Sequence, residues 1–259
     1  MQVSAEAFGL VPAVALAYAL ATHRHRPARG CATAAAAALV LIFLAFATGL
    51  QHLALHTFLW AHLLQNVVLA EWAPALLVLA VPPVLAARAR GFVLLNPFVA
   101  LPLWIATYLL WHLPWVYDYA LRHPHSLLHV EHVMYLAAGF ALWWPVVHGT
   151  QSPGAKAAYL FAAFVLSSPL GLFLALIPRP VYSYYAHAPR TWGPGPLTDQ
   201  QIAGVTMAVE QAVVFFVVFA HYLLRFLHDE QIDGAFDEVR TSTAPGNRRA
   251  ADGFARPRR

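Results

Sequence analysis

The chain has 259 residues, 60% of them hydrophobic and only 11% charged, with a formal net charge of +4. Ordinary globular proteins carry roughly a quarter charged residues, so this composition excludes a water-facing surface and implies an integral membrane protein. The single lysine, Lys156, leaves no mid-membrane amine for a retinal-type Schiff base, and the single cysteine, Cys31, excludes an internal disulfide, a CxxC redox pair and a cysteine-ligated iron–sulfur cluster.

A helical span needs about 20 apolar residues. Seven runs meet that need, at approximately 5–22, 32–50, 58–80, 97–113, 127–147, 157–177 and 200–226. The expected fold is all-α, a polytopic bundle of seven transmembrane helices over residues 1–228. The first run carries Glu6 instead of a basic leader and reads as a retained helix. The second is rich in small residues from Ala34 to Ala38, which suits close helix approach. A short loop with His52 and His56 leads into the third run, which carries His62, Gln65 and Asn66, then Glu71 and Pro74. The fourth ends at His112, just before Pro114. His123 and His125 precede the fifth, which carries His129 and His132. The sixth follows Lys156, and a long loop covers 179–199. The seventh starts beside Asp199 and carries Met207, Glu210 and His221. Prolines inside these runs predict kinks, because neighbouring helices can satisfy the freed backbone groups. The eight tryptophans read mostly as interface anchors. Residues 229–259 are polar and basic, and are expected to form a disordered cytoplasmic tail.

Arg24, Arg26, Arg29, Arg88, Arg90, Lys156 and Arg225 fall on one side of a seven-span chain, and Arg122, Arg179 and Arg190 on the other. The positive-inside rule then puts the N-terminus outside and the C-terminus in the cytoplasm. The net charge follows from that bias and gives no reason to expect a nucleic-acid partner. With this orientation nine of the fourteen histidines gather at the extracytoplasmic face. Loops favour polar residues, but His62, His112, His129 and His132 lie inside apolar runs at matching depth. His125, His129 and His132 share a helical face at i, i+4, i+7, as do His62, Gln65 and Asn66 at i, i+3, i+4. Asp199, Ala203, Glu210 and His221 form a third stripe, with Met207 at its edge. Ionisable groups in membrane helices usually face the bundle interior, and neutral imidazole is a frequent ligand for copper, zinc and iron. The pattern points to an outer-leaflet metal site of His62, His112, His129 and His132. The competing reading is interhelical hydrogen bonding and a polar entrance to a water cavity. Glu71 and Glu210 lie near mid-bilayer. Glu210 should face inward, whereas Glu71 lies nearly opposite His62 on its helix.

Four stretches resemble a known family. They are His62-x-x-Gln65-Asn66 with Ala73-Pro74, Trp111-His112-x-Pro114 with Tyr117, His129-x-x-His132 leading to Trp143-Trp144-Pro145, and Asp199-Gln200-Gln201-x-Ala203-Gly204-x-x-Met207. In this order they resemble the CtaG family of cytochrome c oxidase assembly factors. The resemblance implies a multi-span protein of the bacterial plasma membrane that supplies or inserts copper on the outer face. Its partners would be oxidase subunits or other copper chaperones. It also implies His62, His112, His129, His132, Asp199 and Met207 as ligands. Gln65, Asn66, Glu71 and Glu210, on the same runs, are candidates to support them. The chain departs from the family pattern at Asn66, where a second histidine is usual, at Ala70 and Glu71 in place of a Met-rich stretch, and at Ala208 in place of an aromatic. These changes alter ligand softness, since Cu(I) favours sulfur and imidazole and carboxylates suit harder ions. Two further functions fit the residues. One is an intramembrane metal-dependent enzyme, with zinc or iron held by the histidines and Asp199 and Glu210 assisting. The other is a haem-binding electron carrier with axial imidazoles.

Overall fold

The computed structural model describes residues 5–242, with side chains for 7–232. All regular secondary structure among the described residues is helical. The elements are α1 (Ala5–Thr22), α2 (Arg29–Ala47), α3 (Gly49–His56), α4 (Leu59–Val67), a π-helical turn (Val68–Trp72), α5 (Ala73–Ala80), α6 (Pro83–Arg88), a 3-10 turn (Val93–Leu95), α7 (Pro97–Trp111), α8 (Pro114–Arg122), α9 (Leu127–His148), α10 (Pro153–Leu176), α11 (Ser183–Ala186) and α12 (Pro196–Ser242).

Five helical stretches are long and apolar enough to cross a membrane: Arg29–Ala47, Leu59–Ala80, Leu127–His148, Pro153–Leu176 and Pro196–Ile232. A sixth forms if α7 and α8, bent by 70° at their junction, count as one broken span. Pro114 causes the bend. It lacks an N–H and drives Leu113 into extended backbone at φ −62°, ψ 125°. The first apolar run, over Ala7–Thr22, is shorter than the other spans. The loop expected at 51–57 is mostly α3, and His125 lies in the turn before α9, off the helical face expected to carry it. The last helix passes Asp229 and continues to Ser242, because no proline interrupts it before Pro245. The rest of the expected disordered tail lies outside the described residues.

Leu59–Ala80 is the central span: 72% of it is buried, against 28% for the α10 and α12 spans. Close packing needs glycine at two places. A Cβ on Gly139 of α9 would lie 2.2 Å from the Ala70 carbonyl oxygen, and one on Gly204 of α12 would lie 2.5 Å from the Gly171 carbonyl oxygen of α10. The wide π turn leaves that Ala70 carbonyl open to the Trp104 indole, which donates to it at 3.3 Å. Trp104, Trp111, Trp143 and Trp144 are buried, whereas Trp115 and Trp192 are exposed. The expectation of interface anchors therefore fails for the first four. They fill the core instead, Trp104 stacking on Tyr108 and Trp143 on Phe215.

Candidate functional site

The site is set by how the central span begins. Asp199, in the first turn of α12, accepts from Leu59 N at 2.9 Å and Trp60 N at 3.1 Å, and pairs with Arg190 Nη2 at 2.9 Å. Two of the orphan N–H groups at the start of α4 are thereby satisfied. The carboxylate is fully buried and fixes the end of α4 less than one turn before His62. Loop 179–199 is tied down in turn. Asp118 of α8 accepts from Ser183 N and Tyr184 N, at 3.0 and 2.9 Å.

That loop delivers Tyr185 to His62. His62 Nδ1 lies 2.9 Å from the Tyr185 hydroxyl, which is also bonded to the Ala54 carbonyl. Burial, with Tyr184 beside it, pushes the Tyr185 phenol up, so the hydroxyl keeps its proton. A carbonyl only accepts, so the hydroxyl donates to Ala54 and must accept from His62 Nδ1–H. In the neutral ring the lone pair of His62 is then on Nε2, which is buried without a hydrogen-bond partner. His112 reaches the same state separately. Its Nδ1 lies 2.8 Å from the Tyr108 carbonyl, so Nδ1 donates and the buried, unpartnered Nε2 carries the lone pair. Both rings pack on Tyr117, at centroid distances of 5.2 Å for His62 and 5.9 Å for His112.

Glu131 completes the cluster. Its Oε1 accepts from Asn66 Nδ2 at 2.9 Å and lies 3.8 Å from His62 Nε2. That gap exceeds hydrogen-bond reach. It is close to two metal–ligand bonds of about 2 Å each laid end to end. His132, beside Glu131 on α9, places its ring 6.4 Å from that of His62. The buried centre therefore presents imidazole lone pairs and a carboxylate, with the Asn66 amide turned toward the carboxylate. Such a set of acceptors suits a cation.

The other expected residues lie as follows. Met207 is buried and lines a cavity of about 10 Å³ with His112, Asn66, Glu71, Tyr108 and Tyr135. His129 is half-buried, about one turn nearer the start of α9. Gln65 turns the other way, donating to the Ala45 carbonyl at 2.6 Å and to Gln51 Oε1 at 2.5 Å. Glu71 is buried within the π turn and accepts from Gln211 Nε2 at 3.0 Å. Glu210 accepts from the Trp72 indole. His221, expected to continue the α12 stripe, is exposed. Among the described residues, no three His, Cys, Asp or Glu side chains close around one point as a metal site would. Glu131 was not anticipated from sequence, although it is a carboxylate inside an apolar run, the same signal that picks out Glu71 and Glu210.

Over residues 15–229 the chain matches the family model described as cytochrome c oxidase caa3 assembly factor (Caa3_CtaG). No curated protein and no solved structure matches it.

Proposed function

The chain belongs to the cytochrome c oxidase caa3 assembly factor family, and on that footing we propose that it carries copper as cargo for oxidase maturation. The ion would be held between His62 Nε2 and Glu131 Oε1, with His132, His112 and Met207 adjoining. The observation that carries this reading is the pair of imidazoles whose Nδ1 atoms are tied to Tyr185 and Tyr108, leaving both Nε2 lone pairs buried and open. Fixing the ring tautomer through the other nitrogen is how ligating histidines are usually oriented. Glu131 supplies the charge balance. A monovalent cation among neutral imidazoles would be an uncompensated buried charge, which is costly, and one carboxylate cancels it. The thioether of Met207 adds the softness that Cu(I) prefers.

Asp199 and Glu210, which an enzyme reading would use, are engaged with Leu59, Trp60, Arg190 and Trp72. That engagement favours a carrier over a hydrolytic enzyme, and it takes Asp199 out of the ligand set proposed here. In this reading the chain crosses a bacterial plasma membrane seven times, with α1 as the additional span. The bias of arginine and lysine supports an outer-facing histidine cluster. Oxidase subunits or other copper chaperones would be the partners.

Elemental analysis of copper-loaded protein in mild detergent tests the proposal. We expect about one copper per chain, greatly reduced in His62→Ala and His132→Ala. A stoichiometry near zero under copper-replete conditions defeats it.

A further inference from the structure

Two cavities meet at the ends of α7 and α9 opposite to His112 and His132. One, of about 350 Å³, is lined by Arg90, Asn96, His148, Thr150 and Gln151. The other, of about 410 Å³, has apolar walls that include Phe98, Leu101 and Ala162, and Lys156 among its lining. Both are also lined by Pro97 and Gln151, so they adjoin. The Gln151 Oε1 atom is buried there without a hydrogen-bond partner. Lys156 is half-buried, its ammonium 5.2 Å from the centre of the Tyr222 ring. Among the described residues no carboxylate pairs with Arg90 or Lys156. Around the mouth, Phe92, Val93 and Phe98 are 65%, 69% and 89% exposed, as side chains dipping into a lipid interface would be.

We propose that this two-part space is a binding site for an anionic phospholipid, its phosphate between Arg90 and Lys156 and one acyl chain along the apolar half. The polar half offers Arg90, and the other half is apolar apart from Gln151 and Lys156, which is close to the division an amphiphile has. Basic pockets between membrane helices are suited to anionic headgroups. The C-terminal segment of this chain fits poorly as an occupant, because Arg248, Arg249, Arg256, Arg258 and Arg259 would meet the same cations. The inference is independent of the copper reading.

Native mass spectrometry of the full chain tests it, in detergent with equal amounts of phosphatidylglycerol and phosphatidylethanolamine. We expect one phosphatidylglycerol to be retained roughly tenfold over the zwitterionic lipid. Arg90→Gln with Lys156→Gln should bring the two lipids to parity, while Lys156→Arg keeps the preference. Ala162→Trp, which fills the apolar half, should lower retention of both. Circular dichroism checks that each variant is folded. Equal retention by the parent protein overturns the proposal, as does an undiminished preference in the folded double variant. Increased retention after removal of residues 243–259 also overturns it, by making the tail the occupant.

Discussion

Replacing Glu131 by glutamine removes one negative charge and almost no volume. Its oxygen lies 3.8 Å from His62 Nε2, so a cation held between the two would lie no farther than about 4 Å from the carboxylate. Two unit charges at that separation interact by about 4 kcal/mol at an effective dielectric near 20. The glutamine oxygen can still accept from Asn66 and retains part of the favourable dipole, so roughly half of this energy should be lost. A loss of about 2 kcal/mol weakens binding roughly 30-fold. Anaerobic competition against a chromophoric Cu(I) chelator, with the protein in detergent, measures the change. The Glu131 side chain is buried, so the difference should persist at high salt, where surface electrostatics are screened. A shift below about threefold, with His62→Ala abolishing binding in the same assay, would refute the charge-balance argument while leaving the histidine site intact.

Tyr185→Phe removes the hydroxyl that orients His62, and copper affinity should fall about 10–100-fold with circular dichroism unchanged. Unaltered affinity would mean that His62 needs no such support. Asp199→Ala breaks a buried pair and exposes the end of α4, at a cost of about 3–5 kcal/mol. At about 2–4 °C per kcal/mol for a chain of this size, its melting temperature should drop by at least about 6 °C. Gly139→Ala places a Cβ 2.2 Å from the Ala70 carbonyl oxygen, and overpacking of that kind costs about 1–3 kcal/mol. Gly49→Ala meets open space and serves as the control for thermal unfolding. Equal melting of the two glycine variants would show that α9 and the π turn are less tightly packed than described.

The way the site was and was not legible follows from particular residues. His62 and His132 could be paired from sequence, because spacing within a helix reports a shared face and ionisable groups in apolar runs turn inward. Glu131 satisfies the same logic as a carboxylate inside an apolar run, but it lies off the stripe through His129 and His132. Glu71 was expected to face away from His62, and the wheel geometry behind that expectation is sound for a helix with one buried face. The central span is buried on most sides and carries a π turn, so opposite positions are both interior. Asp199 was a candidate ligand through the family resemblance, and only the packed structure shows its carboxylate engaged with Leu59, Trp60 and Arg190.

Composition by itself determined that this chain lives in a membrane, and apolar run lengths determined most of its spanning helices. Residue spacing put imidazoles on common helical faces. Only the tertiary structure decided which ring nitrogens are open and which carboxylates are already engaged. The partners that settle those questions are remote in sequence: Tyr185 orients His62 from 123 positions away, and Asp199 caps Leu59 from 140. Spacing along one helix can bring side chains to the same face, but a hydrogen bond between helices exists only once the bundle has packed.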